Sequence, residues 1–413
     1  MEKLTLEKIY PHAELETQRR RFSAADEKFE SAFGKRSERY FSAPGRTELG
    51  GNHTDHNLGC VLAAAVSLDM IAAVAPTDDG IIKVRSEGFE RTENVDTKDT
   101  SPKDDEKQSS AALIRGVADR FKAHGYNVGG FDAYVTSDVL QGSGLSSSAA
   151  YEVLIGTILN GLYNGGAISA IDIAIAAQYA ENVHFGKPSG LMDQMASSVG
   201  GSVMIDFACK GSPVVKSIPC DLEKSGLKLC IIDTKGSHAD LTPEYAAIPS
   251  EMKSVAEFFG KSVLREITKD MVLDNITELR DTCGDRAVLR ALHYFDENER
   301  VLAETAALEN GDTERFLQFV KKSGNSSMAY LQNIFCAANI KQQGMTLGLY
   351  LAEQLLDGEG ASRVHGGGFA GTIQAFVPKD KLSYFKDGIE KVFGKGACHV
   401  LDIRQCGGTE VMI

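Results

Sequence analysis

Gln141-Gly142-Ser143-Gly144-Leu145-Ser146-Ser147-Ser148-Ala149-Ala150 lies between two apolar segments. Before it, the alternating run Phe131-Asp132-Ala133-Tyr134-Val135 predicts a strand; after it, residues 151–162 predict a buried helix with Gly156 inside. A strand, a glycine-rich turn and a helix start together make an anion cradle. Glycine lets the backbone approach a phosphate, serine hydroxyls add donors, and the free N–H groups of the helix end concentrate about half a positive charge. No cationic side chain is needed.

Two phosphate fingerprints fail here. A P-loop requires Lys after its glycines and none follows; a dinucleotide loop requires a third Gly where Ser147 stands. A plain Gly/Ser linker fits poorly, because linkers are seldom set between a strand and an apolar helix.

The chain that carries this cradle has 413 residues, enough for roughly two to three domains. Its 43% hydrophobic and 24% charged residues are those of an ordinary globular protein. A net charge of -13 argues against nucleic acid and anionic membrane as partners, so an anionic ligand needs a local positive site. No run of about 18 apolar residues occurs. The start, Met1-Glu2-Lys3-Leu4-Thr5, lacks an apolar signal core, and a cytoplasmic location is expected. Eight scattered cysteines without a Cys-x-x-Cys pair fit reduced thiols better than disulfides or zinc.

Upstream of the cradle, residues 1–38 are polar and helical in pattern, with Arg19-Arg20-Arg21 expected on a solvated face. Phe41-Ser42-Ala43-Pro44-Gly45-Arg46 and Gly51-Asn52-His53-Thr54-Asp55-His56-Asn57 then frame a polar loop ahead of apolar residues 61–75, which suit one or two core strands. His53, Asp55 and His56 lack a third His or Cys nearby, so no transition-metal site is expected. Residues 81–85 predict a short strand, 86–108 an irregular charged loop, and 110–125 an amphipathic helix.

Downstream, residues 167–185 read as one Ala/Ile-rich helix containing Glu181, stopped by Gly186-Lys187-Pro188-Ser189-Gly190. Asp193, among apolar and small residues, is paired, helix-capping or catalytic, and capping is the default from the residues alone. Strands are expected at 203–207 and 227–233, and helices at 244–259, 287–309 and 313–323. Gly366-Gly367-Gly368-Phe369-Ala370-Gly371 satisfies a dinucleotide pattern but leads into an alternating strand, so a glycine-rich hairpin against a ligand or backbone fits better.

Three stretches in fixed order, Pro44-Gly45-Arg46 with His53-Thr54-Asp55, Gly142 to Ala149, and Gly366 to Gly371, together resemble the three motifs of the GHMP kinase superfamily. Glu181 with Gly186-x-Pro188-x-Gly190-x-Met192-Asp193-Gln194, and Ser237-His238 through Tyr245, resemble segments of the galactokinase family in particular. The resemblance runs from about residue 38 to the C-terminus. It implies an α+β, two-domain fold: a ribosomal-protein-S5-domain-2-like domain over 1–205 and a ferredoxin-like domain, helices on an antiparallel sheet, over 206–413.

The resemblance also implies roles. ATP phosphates would lie on Gly142, Ser143, Gly144, Leu145, Ser146, Ser147, Ser148 and Ala149, with Mg2+ held by Ser148 and Glu181. Asp193 would accept or orient the proton of the sugar C1 hydroxyl, and Arg46 would stabilise the transferring phosphoryl group and keep Asp193 ionised. Asn52, His53, Asp55, Gly190 and Tyr245 would bind the sugar. The implied reaction turns ATP and galactose into ADP and α-galactose 1-phosphate, by a monomer.

Two positions depart from the family pattern. Galactokinases read Gly-Glu-His-Thr-Asp, with the Glu on the C6 hydroxyl, where this chain has Asn52. A neutral amide would tolerate a C6 carboxylate, so a galacturonate-type kinase is the first alternative. Val364-His365 replaces the usual Met-Thr. A sugar sensor without turnover is the second alternative, disfavoured because Arg46, Ser148 and Asp193 are all present. Homoserine or mevalonate kinases of the superfamily lack the His53-Thr54-Asp55 and Tyr245 pattern.

Overall fold

Two β-sheets organise the computed structural model, which describes residues 3–139, 145–209, 211–236, 241–336 and 340–413. In chain order the strands are β1 (Lys3–Thr5), β2 (Arg39–Gly50), β3 (Cys60–Thr77), β4 (Ile81–Ser86), β5 (Thr92–Asp96), β6 (Gly130–Ser137), β7 (Ser202–Asp206), β8 (Val214–Ile218), β9 (Leu227–Asp233), β10 (Ala361–Val364), β11 (Thr372–Pro378), β12 (Cys398–Leu401) and β13 (Thr409–Met412). The first sheet has the order β1-β13-β2-β3-β6-β4-β5, with β7 beside β3 and β8 beside β7. The second is antiparallel, in the order β10-β11-β9-β12.

β3 is one long strand rather than two, and it reads as continuously apolar because both of its faces are covered. Side chains alternate across a strand. Ala72 and Val74 therefore join the core under the helices Ser110–Ala123 and Ser147–Tyr163, whereas Ile71, Ala73 and Ala75 pack against Phe22 and Phe29 of the helix Leu15–Phe33. The helix expected at 151–162 begins earlier, at Ser147, directly at the cradle.

Three expectations change. The irregular stretch after residue 86 contains β5, which pairs with β4. The single helix expected over 167–185 divides into an α-helix, Ala170–Tyr179, and a π-helical turn, Ala180–Phe185. Of the three consecutive arginines, Arg19 and Arg20 are exposed, but Arg21 is largely buried and pairs with Asp69 and Asp138. A buried carboxylate at Asp69 requires such a partner, and Arg404 supplies a second.

The second sheet carries the helices Gly344–Leu356 and Leu382–Phe393 on its Cys230, Ile232, Val364 and Ile373 face. The sheets do not divide at residue 205: β8 extends the first sheet through β7, and β13 returns from the chain end to pair with β2. Polar groups line the seam between them. Arg363 donates to the Leu49 carbonyl (3.0 Å), and Gln374 to the Thr47 hydroxyl (2.7 Å) and the Glu48 carbonyl (3.0 Å). Among the described residues no helix is long and apolar enough to cross a membrane.

Candidate active site

The β2–β3 register jumps between Pro44, opposite Asp69, and Arg46, opposite Ala65. At this irregularity the Arg46 N–H donates to the Leu145 carbonyl at 3.2 Å, which ties β2 to the end of the serine-rich loop. The Arg46 side chain is buried and meets Asp193 through two parallel bonds, Nε to Oδ1 at 2.5 Å and Nη2 to Oδ2 at 2.6 Å. Fork-to-fork pairing of this kind fixes both groups in direction as well as in charge.

Burial alone would raise the Asp193 pKa. The Arg46 guanidinium, its bonds and the Ser146 hydroxyl outweigh that and hold the carboxyl below its ordinary range. Asp193 lies in the first turn of the helix Met192–Val199 but serves as an ion-pair partner, so the capping default gives way.

Facing this pair is the start of the helix Ser147–Tyr163. Ser146 adopts a left-handed conformation with φ 56° and its side chain does not cap the helix, whose first N–H groups have no intrahelical partner. Ala149 is fully buried behind them. Gly142, Ser143 and Gly144 lie outside the described residues. A cavity of about 670 Å3 adjoins Ser147 and Ser148, walled by Leu113, Val135, Val139 and Tyr151.

Glu181 sits in the π-helical turn, a distortion that is frequent at functional sites. Its Oε2 accepts from the Gln194 amide at 2.9 Å, and the same Gln194 nitrogen reaches Glu152 Oε2 at 3.1 Å. Its Oε1 accepts from the Ser148 hydroxyl (3.2 Å) and from Lys187 Nζ (2.8 Å). A hydroxyl and a carboxylate are hard oxygen donors of the kind Mg2+ takes, alongside water and phosphate oxygens. The Lys187 ammonium already rests on that carboxylate oxygen, so the position favours a cation. Among the described residues no cluster of three His, Cys, Asp or Glu could form an all-protein metal cage.

The remaining site residues make two further sets of contacts, Asp55 with Gly190, and His53 and Tyr245 with the glycine-rich segment. Asp55 comes so close to Gly190 that a Cβ there would lie 1.9 Å from Asp55 Oδ2, so any larger residue would push the Asp55 carboxylate from its place. His53 Nε2–H donates to the Gly367 carbonyl (2.9 Å), and burial pushes its pKa down to about 4, which keeps the ring neutral. Tyr245 donates to the Gly368 carbonyl (2.7 Å) and stacks edge-on against Phe369 at 5.3 Å. The glycine-rich segment is the expected hairpin, joining β10 to β11, and it presses on a backbone: a Cβ on Gly368 would lie 2.0 Å from the Asn333 carbonyl. Ser237-His238 lie outside the described residues.

Asn52 is enclosed by protein partners. Its side chain is 1% exposed, and its amide nitrogen donates to Glu48 Oε1 (3.1 Å) and the Gly366 carbonyl (2.8 Å). Its amide oxygen accepts from Asn333 (2.8 Å). An amide offers two donors and one carbonyl, and all are engaged here. Glu48 is in turn paired with the fully buried Arg363.

His365, the other departure, bonds Thr47 through Nε2 and Thr372 through Nδ1, both at 3.1 Å. Burial pushes it down to about 3, so it is a neutral clamp across the two sheets. Glu48, Arg363, Asn333 and Lys187 were not singled out from the sequence. Glu48, Arg363 and Lys187 stood inside stretches already marked, at 41–57, 362–371 and 186–190, but without a role, and Asn333 stood in none.

Comparison with known proteins places the chain in a family. Residues 27–76 match the galactokinase galactose-binding signature, and residues 112–201 match the GHMP kinases N terminal domain. A galactokinase of Streptomyces coelicolor is 31% identical over 373 residues, covering 89% of this chain and 92% of its own. One of Glaesserella parasuis is 32% identical over 372 residues, with the same two coverages. Among solved structures, Lactococcus lactis galactokinase complexed with galactose superposes with a TM-score of 0.79 at 24% identity, over 94% of this chain and 99% of that one. A mevalonate kinase superposes at 0.61 with 15% identity, over 89% of this chain and 100% of its own, a likeness of fold alone. On sequence identity sustained along nine-tenths of both chains, this chain belongs to the galactokinase family of the GHMP kinases.

Proposed function

We propose that the protein transfers the γ-phosphoryl group of ATP to the C1 hydroxyl of galactose, giving ADP and α-galactose 1-phosphate. The observation that carries this is the bidentate Arg46–Asp193 pair, tied through the Arg46 N–H to the Leu145 carbonyl just before the serine-rich helix start. A sugar held by Asp55, His53, Gly190 and Tyr245 presents its C1 oxygen to Asp193. The C1 oxygen forms a bond to the γ-phosphorus as the bond to the bridging oxygen of ADP breaks, and Asp193 takes or orients the released proton. Arg46 offsets the negative charge spread over the phosphoryl oxygens and keeps Asp193 ionised.

Phosphates rest on the N-terminal amides of Ser147–Tyr163, and the cavity beside Ser147 and Ser148 is of the size that takes a nucleoside. Ser148 and Glu181 would hold Mg2+, which when bound neutralises phosphate charge. Eight free thiols suit a reducing compartment, the cytoplasm.

The test is Mg2+-ATP-dependent ADP release across galactose, galacturonate, N-acetylgalactosamine, glucose and arabinose. Galactose is expected to turn over best. Silence on every sugar would overturn the proposal, and a preference for galacturonate would reassign the substrate.

A further inference from the structure

The serine-rich cradle has no lysine of its own, unlike a P-loop. A lysine reaches the site from elsewhere. Lys187 Nζ lies 2.8 Å from Glu181 Oε1, the oxygen that also accepts from Ser148. Its other charged neighbours are Asp193 and Glu152, both carboxyl groups of the same site. Arg46 and Lys187 are the two cations that Asp193 feels most strongly.

The backbone of Lys187 is anchored, since its N–H donates to the Glu181 carbonyl at 3.0 Å, whereas its side chain is 60% exposed. A fixed root and a solvated, flexible stem let the ammonium change partners without moving the chain. An ammonium and a divalent cation on one carboxylate oxygen repel each other, so each weakens the hold of the other.

We propose that Lys187 is an exchangeable cation. It neutralises Glu181 while nucleotide is absent, and it passes to the phosphate oxygens when Glu181 is taken up by the Mg2+ that accompanies ATP. The exchange rests on the assignment of Ser148 and Glu181 to that metal. It keeps the carboxyl-rich site near charge balance in both states and supplies the lysine that the loop lacks.

Binding, measured apart from turnover, tests it. In Lys187→Met, Mn2+ binding to the nucleotide-free protein, followed by electron paramagnetic resonance, is expected to tighten about tenfold because its competitor is gone. Calorimetric affinity for a non-hydrolysable ATP analogue with Mg2+ is expected to weaken about tenfold through loss of a charge-assisted bond. Lys187→Arg should restore the nucleotide affinity. Unchanged Mn2+ and nucleotide affinities in Lys187→Met, with the metal response abolished in Glu181→Gln, would overturn the exchange and leave the metal assignment standing. An undiminished metal response in Glu181→Gln would overturn both.

Discussion

Glu48 Oε1 accepts a buried hydrogen bond from the Asn52 amide at 3.1 Å, and the Arg363 guanidinium pairs with that same oxygen at 2.5 Å. The negative charge in this corner therefore belongs to residue 48 and is compensated, and residue 52 is the neutral partner. Asn52→Glu would place two carboxylates against each other out of water. We expect it to destabilise the protein by about 2–4 kcal/mol in urea unfolding, since one acid must be held protonated or left unpaired. Adding Glu48→Gln should recover most of that loss. Equal losses in the single and double variants would show that the two side chains do not interact.

Asp193→Asn keeps the shape of the site and removes the base. A fall in kcat of about 10³-fold is expected, with the sugar KM nearly unchanged. Full activity in this variant would remove Asp193 from the mechanism. Arg46→Met should lower kcat by about 10²-fold or more and move the acidic limb of the kcat/KM profile to higher pH, because the guanidinium is the leading influence holding Asp193 low. An acidic limb that stays in place would contradict that origin.

Much of this site was legible because its signals are local. A strand period, a helix start and a Gly-Ser run stand side by side around residue 145, and Arg46, Glu181 and Asp193 each lie in a short motif. Arg363 and Glu48 are 315 positions apart, and Asn333 and Asn52 are 281 apart. No periodicity encodes a pairing across that distance, so the bonds of Asn52 to Glu48 and Asn333 could not be read from the sequence. The same reason hid the return of β13 to β2, and it made Arg21 look solvated although its partner Asp69 is 48 residues away. The π-helical turn at Glu181 has no sequence mark, since Ala180–Phe185 continues the helical composition before it.

Gly190→Ala is expected to damage sugar binding alone. A Cβ 1.9 Å from Asp55 Oδ2 must displace that carboxylate, because the other side of the clash is backbone. The sugar KM should rise about tenfold or more, since a misplaced acceptor leaves a hydroxyl unpaired. Nucleotide affinity measured without sugar should not change. Equal damage to both would mean that the turn as a whole had shifted.

The Glu48 carboxyl also gives a pH signature. Burial pushes it up to about 7, against the pull of Arg363 and with the added push of Glu297. An unfolded glutamate titrates near about 4.3. The folded value is the higher one, so the stabilisation linked to this group is complete below the unfolded value and is lost as pH rises through about 7. The gap corresponds to a loss of up to roughly 4 kcal/mol. His53 and His365, whose folded values are depressed, act in the opposite sense over an overlapping range, so the wild-type curve alone would not isolate Glu48. The difference between wild type and Glu48→Gln does, because the histidines are common to both. That difference in unfolding free energy should shrink steadily from about pH 4.5 to about pH 7 and level off above. A difference that is flat across the window would mean that Arg363 keeps Glu48 ionised throughout, and the charge in this corner would then be permanent.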